Sequence, residues 1–205
     1  DDKAQMSCSD PELQIMQTHN KGWDYCGNAP ASVDGAHQII VACEVTAAAN
    51  DTQQAVPMAQ LTLANLDEAG IEKPKDAEGV IAKMPGTYDS GYYSEAAAQA
   101  VEEWGFDPSM ATGRQRHHAP EADESESPET AKERMAAKVR TPEGRALYAR
   151  RKVNVEPVFG QIKETRGFRR FLLRGLDNIR GEWSLVCLTH NLLKSWRYRC
   201  APMTV

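Results

Sequence analysis

The sequence predicts an α/β fold, a mixed sheet flanked by helices and followed by a helical, basic C-terminal third. Three observations carry that prediction. Strand-like runs, 37–46 rich in β-branched residues and 79–89, alternate with helical patterns. Apolar residues recur at three- and four-residue steps in 52–68, 94–104 and 176–199. Charge is divided along the chain: the net charge is −5, yet residues 138–205 hold fifteen Lys/Arg against five Asp/Glu, and residues 1–137 hold nine against twenty-four. Such a division suits a chain that grips a polyanion with one part only. At 205 residues the chain is long enough for one domain or slightly more, with a real core.

Residues 1–13 are polar and read as a disordered or frayed terminus ahead of a single domain over 14–205. Residues 23–34 and 37–46 read as strands around a turn at Gly35-Ala36, a hairpin with Asp34 closing its first arm. Asp is common in turns, so on composition alone Asp34 reads first as a turn residue. Gly27 and Pro30 weaken that arm, because glycine packs nothing and proline donates nothing to a ladder. Asp51 or Thr52 caps a helix to about Glu68, with Val56, Ala59, Leu63 and Leu66 on one face and Gly70 as its stop. A polar connector over 70–79 leads to a strand at 79–89, interrupted by Pro85-Gly86 and ending at Asp89. Ser94 caps a helix through Ala97, Val101 and Trp104 to a Gly105 stop, and 106–112 adds a short edge strand.

Residues 113–130, with Glu121, Asp123, Glu124, Glu126 and Glu129 beside prolines, read as a mobile acidic loop. His117-His118 within it reads as an exposed pair rather than a metal site. Residues 130–139 are helical in pattern, and Thr141-Pro142 supplies an N-cap and an N1 proline for the next helix. The last helix, 176–199, carries Ile179, Trp183, Val186, Cys187, His190 and Leu193, with His190 read as a hydrogen-bonded buried histidine. Five scattered cysteines without CxxC spacing read as free thiols. With no run of about 18 apolar residues and no signal-peptide pattern, the expected location is cytoplasmic, without a membrane partner.

The stretch 148–163 organises the rest. On a helix at 100° per residue, Tyr148, Lys152, Glu156, Phe159 and Lys163 fall within an arc of about 80°, with Arg151 at its edge. One acid framed by bases and an aromatic suits a place where a metal ion meets a phosphate backbone; a solvated basic helix fits the spacing equally well. Tyr148, Arg151, Glu156 and Lys163 resemble the Tyr…Arg…Glu…Lys signature of DDE transposases from bacterial insertion sequences. Flanking text resembles it too, Arg140-Thr-Pro-Glu-Gly-Arg-Ala-Leu-Tyr148 before and Gly167-Phe-Arg-Arg-Phe-Leu-Leu-Arg-Gly175 after. Four residues rather than three separate Arg151 from Glu156, so either Lys152 takes the arginine's place or the helix is irregular near Glu156, where Pro157 disfavours regular helix.

The resemblance extends to Asn28…Val33-Asp34 with Gln38-Ile-Ile-Val41, which is similar to the family's first catalytic strand and its partner. It also takes in Asp89-Ser-Gly-Tyr-Tyr-Ser-Glu95, similar to the text of the second catalytic aspartate. It implies a ribonuclease-H-like fold in which Asp34, Asp89 and Glu156 converge as catalytic acids and metal ligands. Two Mg²⁺ or Mn²⁺ ions about 4 Å apart would serve an in-line displacement at phosphorus. The implied reaction is DNA strand cleavage at transposon ends and transfer into target DNA, on double-stranded DNA, by a homodimer, nucleoid-associated when bound and without a small-molecule cofactor. Tyr148, Arg151, Lys152, Lys163, Arg166, Arg169, Arg170 and Arg174 would contact DNA phosphates. Relatives carry an N-terminal helical DNA-binding region, for which only ten to twenty residues precede the family-like text here. The alternative expectation is therefore a truncated, inactive remnant that binds DNA or an intact transposase.

Overall fold

A computed structural model describes residues 6–18, 21–113 and 130–200. The expected acidic loop, with His117-His118, lies almost wholly outside them. In chain order the elements are β1 (Gln14–Gln17), β2 (Trp23–Cys26), β3 (Ala31–Val33), β4 (Ile40–Cys43), α1 (Ala55–Glu68), β5 (Met84–Tyr88), α2 (Glu95–Glu103), β6 (Phe106–Met110), α3 (Ala131–Arg140), α4 (Pro142–Gly160) and α5 (Leu176–Cys200). Among the described residues no helix is long and apolar enough to cross a membrane. The chain forms two compact units, Asp1–Ala49 with Pro157–Val205, and Asn50–Glu156.

In the first unit, the arm expected over 23–34 is split. β2 pairs antiparallel with β1, and β3 pairs antiparallel with β4, with a register shift between Ser32 and Val33. The break falls at Gly27–Pro30. A side chain on Gly27 would stand 3.0 Å from Val45 Cγ1, so the glycine permits a close approach of backbone to core. Ile40, Val45, Val158, Ile162, Ile179, Trp183 and Cys187 form that core. Trp183 stacks with Phe159 and Phe168 at centroid distances of 6.1 and 6.4 Å and meets Phe171 edge-on at 6.4 Å. All five cysteines are free thiols.

The terminus expected to fray is anchored from Asp10 onward. Asp10 is buried and its carboxylate accepts from Gly175 N–H at 3.1 Å, while Glu12 accepts from Leu176 N–H at 2.5 Å. These carboxylates satisfy donors at the start of α5, where the helix dipole also favours negative charge. Residues 1–5 lie outside the description.

The second unit is a β-α-β arrangement with helices around it. β5 and β6 pair in parallel through Met84–Phe106 to Tyr88–Met110, and α2 connects them. Ala55, Ala59, Leu63, Ala97, Val101, Phe106 and Met110 make the core. Caps fix the helices much as the sequence suggests. Ser94 accepts from Ala97 N–H, and Thr130 and Glu133 close a reciprocal capping box on α3. At α1 the cap moves one residue back: Asn50 accepts from Thr52 N–H at 2.9 Å, ahead of a 3₁₀ turn at Asp51–Gln54.

The mixed sheet is not continuous among the described residues, whose strands pair two by two. Proline is the local reason. β3 begins immediately after Pro30, and in the parallel ladder Pro85 faces Asp107 while Gly86 faces Pro108, so two ladder donors are missing. The expected strand at 79–89 is shortened at its start to β5, which runs through Pro85-Gly86 rather than breaking there.

The corner between α3 and α4 depends on Gly144. A Cβ there would lie 2.0 Å from the Lys138 carbonyl oxygen, a backbone atom that cannot turn aside. Gly144→Ala is expected to destabilise the protein by about 2 kcal/mol, the scale of overpacking, read as a lowered urea midpoint at unchanged slope.

Candidate active site

The second unit brings three signature side chains together. Asp89 directly follows β5, and its Oδ1 accepts from Ser90 N–H at 2.7 Å and so caps the 3₁₀ turn Ser90–Tyr92. Its Oδ2 faces Arg151 Nη1 at 3.4 Å, and Arg151 Nη2 reaches Glu156 Oε1 at 4.0 Å. One guanidinium therefore stands between two carboxylates. The Arg151 side chain is 18% exposed, whereas Asp89 and Glu156 are 55% and 58% exposed. Buried behind this contact, Arg151 Nε has no hydrogen-bond partner.

The Tyr148 ring lies 5.5 Å from the Arg151 guanidinium carbon, one helical turn away. Burial raises the Tyr148 phenol pKa, Arg151 works against that rise and Asp89 adds to it. Tyr92 sits beside the same acid: burial, then Asp51 and Asp89, push its phenol up to about 12. Both phenols stay neutral hydrogen-bonding groups near neutral pH.

Within this unit Arg151 meets both acids, whereas Lys152 is exposed. Helix α4 does not restart at Glu156. It continues through Pro157 to Gly160, and the irregularity appears as a π turn at Gln161–Thr165 that buries Ile162.

The first unit holds the remaining residues. Asp34 occupies the β3–β4 turn, with its carboxylate accepting from Ala36 N–H at 3.1 Å, His37 N–H at 2.9 Å and Ile39 N–H at 2.5 Å. His37 Nδ1 lies 3.6 Å from the same group. The turn role weighed from composition is thus filled, whatever else the acid does. Phe159 leaves the basic arc and joins the aromatic core, where the exposed Lys163 lies with Nζ 5.5 Å from its ring centroid.

Among the arginines, Arg166 is turned onto α5, donating to Thr189 Oγ1 at 2.8 Å and Thr189 O at 3.1 Å. Arg169 pairs with Glu164, and Arg170 and Arg174 are exposed. Sequence reasoning singled out neither Thr189 nor Asn191, whose amide holds Ile40. The polar positions Asn191 and Lys194 beside Cys187 and His190, at helical spacing, were the available signal.

Residues 111–196 match the family model described as a transposase DDE domain. That segment is therefore similar to a transposase DDE domain. It contains Tyr148, Arg151, Lys152, Glu156, Lys163 and the four arginines at 166, 169, 170 and 174, but neither Asp34 nor Asp89. No curated protein and no solved structure gives a significant match. A transposase DDE domain is of a nuclease type that acts on DNA, and such domains generally use divalent metals.

Among the described residues no group of three or more His, Cys, Asp or Glu side chains is arranged to hold a metal ion. Within the second unit, the half-exposed carboxylates of Asp89 and Glu156 have the hard oxygen donors that Mg²⁺ or Mn²⁺ takes.

Proposed function

We propose that this chain performs divalent-metal-dependent DNA strand cleavage and strand transfer at insertion-sequence ends, on a ribonuclease-H-like scaffold and as a homodimer on DNA. The observation that carries the reading is the Asp89–Arg151–Glu156 contact. It unites an acid from outside the matched transposase segment with the signature arginine and acid inside it. Asp89 and Glu156 would hold Mg²⁺ or Mn²⁺, and Asp34 is proposed as the third catalytic acid. When bound, such an ion supplies activation of the attacking oxygen and charge stabilisation of the leaving one.

The chain's own residues do the positioning. Arg151 neutralises the paired carboxylates and keeps both facing the same side. Tyr148, Lys152, Lys163, Arg170 and Arg174 orient the phosphodiester backbone through charge and hydrogen bonds, which contribute affinity and register rather than base selectivity. Arg166 and Arg169 extend that surface from positions braced by Thr189 and Glu164.

The test is Mn²⁺-dependent nicking of supercoiled plasmid at low salt, wild type against Asp89→Ala. Nicking by the wild type that falls to background in the variant supports the metal site. Equal nicking by both removes Asp89 from it, and no nicking by folded wild-type protein defeats the proposed activity.

A further inference from the structure

The turn that carries Asp34 is not fixed by its own residues alone. Asp34 N–H donates to Ile39 O at 2.9 Å, and the Asp34 carboxylate depends on the amides of Ala36, His37 and Ile39 for its orientation. Between the His37 and Ile39 amides stands Gln38, at a φ of 59°, a left-handed conformation that L side chains rarely adopt. Something must hold it there.

Helix α5 does so from about 150 residues away along the chain. His190 Nε2 donates to the Gln38 carbonyl oxygen at 2.9 Å. Lys194 Nζ donates to Gln38 Oε1 at 2.5 Å. Asn191 grips both backbone groups of Ile40: its Oδ1 accepts from the N–H at 2.8 Å and its Nδ2 donates to the carbonyl oxygen at 2.8 Å. His190 and Asn191 lie four and three residues before Lys194, so all three fall on one side of the helix. His190 is fully buried, and its other ring nitrogen has no hydrogen-bond partner. Burial, and then the nearby Lys194, Arg166 and Arg197, keep its pKa below the ordinary value, against the opposing effect of the Gln38 carbonyl. A neutral ring that donates through Nε2 carries its lone pair on Nδ1, so the bond to Gln38 also fixes the tautomer.

We propose that His190 and Asn191 are positioning residues for Asp34, holding the β3–β4 turn so that the carboxylate keeps one orientation. The inference rests on the reading of Asp34 as a site acid. A helix clamp that served only to attach the hairpin would affect the whole unit. One that positions Asp34 affects the turn and the chemistry more than the core.

The experiment measures hydrogen exchange of the Ala36, His37 and Ile39 amides in the 205-residue chain without added metal, for wild type, Asn191→Ala, His190→Leu and His190→Gln. Glutamine can present an amide donor near the position of Nε2, so it serves as the conservative rescue. Losing clamp bonds is expected to speed exchange of the three amides about tenfold in Asn191→Ala and His190→Leu, with amides of Ile179, Trp183 and Cys187 unchanged. His190→Gln is expected to stay near wild type. In parallel, the Mn²⁺ concentration for half-maximal nicking should rise in the two disrupting variants while the maximal rate changes less. Unaltered exchange in the turn of Asn191→Ala overturns the inference, as does equal acceleration in the turn and α5. Asp34→Asn is the reference: full nicking by it overturns the reading of Asp34 and the inference with it. Lost nicking by Asp34→Asn beside an unmoved turn in Asn191→Ala overturns the inference alone.

Discussion

Glu156→Gln is expected to lower Mn²⁺-dependent nicking by at least about a hundredfold, since even outer residues of metal sites commonly account for ten- to a hundredfold. The substitution preserves shape and removes one charge. Glu156 is more than half exposed and its contact with Arg151 is long, so stability should change by less than about 0.5 kcal/mol. A plasmid assay and a thermal melt on the same preparation separate the two effects. Undiminished nicking would remove Glu156 from the site and leave the basic helix as a solvated face.

Arg151 sharpens the same experiment. If it acts by neutralising and orienting Asp89 and Glu156, its loss and that of Glu156 share one pathway. The double variant Arg151→Ala/Glu156→Gln should then nick about as poorly as Glu156→Gln alone. If Arg151 instead contacts a DNA phosphate independently, the two losses should multiply. The structure favours the shared pathway, because Arg151 is largely buried between the acids while Lys152 beside it projects into solvent.

Helices were more legible in this sequence than strands, and the cause is local. Ser94, Thr130 and Thr141-Pro142 announce helix starts through side-chain and proline chemistry that acts within one turn. Gly70 and Gly105 mark stops because they adopt positive φ, 68° and 91°. Strand pairing is a long-range choice. Gln14–Gln17 lacks β-branched alternation, and nothing nearby shows that it pairs with Trp23–Cys26. Pro30 does mark the start of a short strand, whereas β5 runs through Pro85, and which neighbours the strands keep is not a local property.

Candidate residues divide in the same way. Tyr148, Arg151 and Glu156 share one helix, so spacing anticipates their proximity, and only the side-chain reach of Arg151 had to be seen. The ties from Asp10 and Glu12 to the start of α5, and from Asn191 to Ile40, cross more than 150 residues. No periodicity encodes them.

Trp183→Ala is expected to have the largest effect on stability, about 3–5 kcal/mol, a large share of what holds a domain of this size together. The indole is buried and touches three phenylalanine rings contributed by α4 and by the segment before α5. Removing it forfeits the transfer energy, leaves a cavity and ends three ring contacts at once. Trp183→Phe separates those losses. The indole Nε1–H is buried without a hydrogen-bond partner, a cost that phenylalanine removes while retaining a ring. Its net penalty should therefore be about 1 kcal/mol, well below that of alanine, when both are compared by urea denaturation. A phenylalanine variant as unstable as the alanine one would show that the indole makes a bond the unpaired nitrogen conceals. The core contains Phe159, next to the exposed Lys163, and Ile162 in the π turn. Loosening it should therefore weaken DNA binding through Lys163 before the protein unfolds, a loss that Trp183→Phe should largely spare.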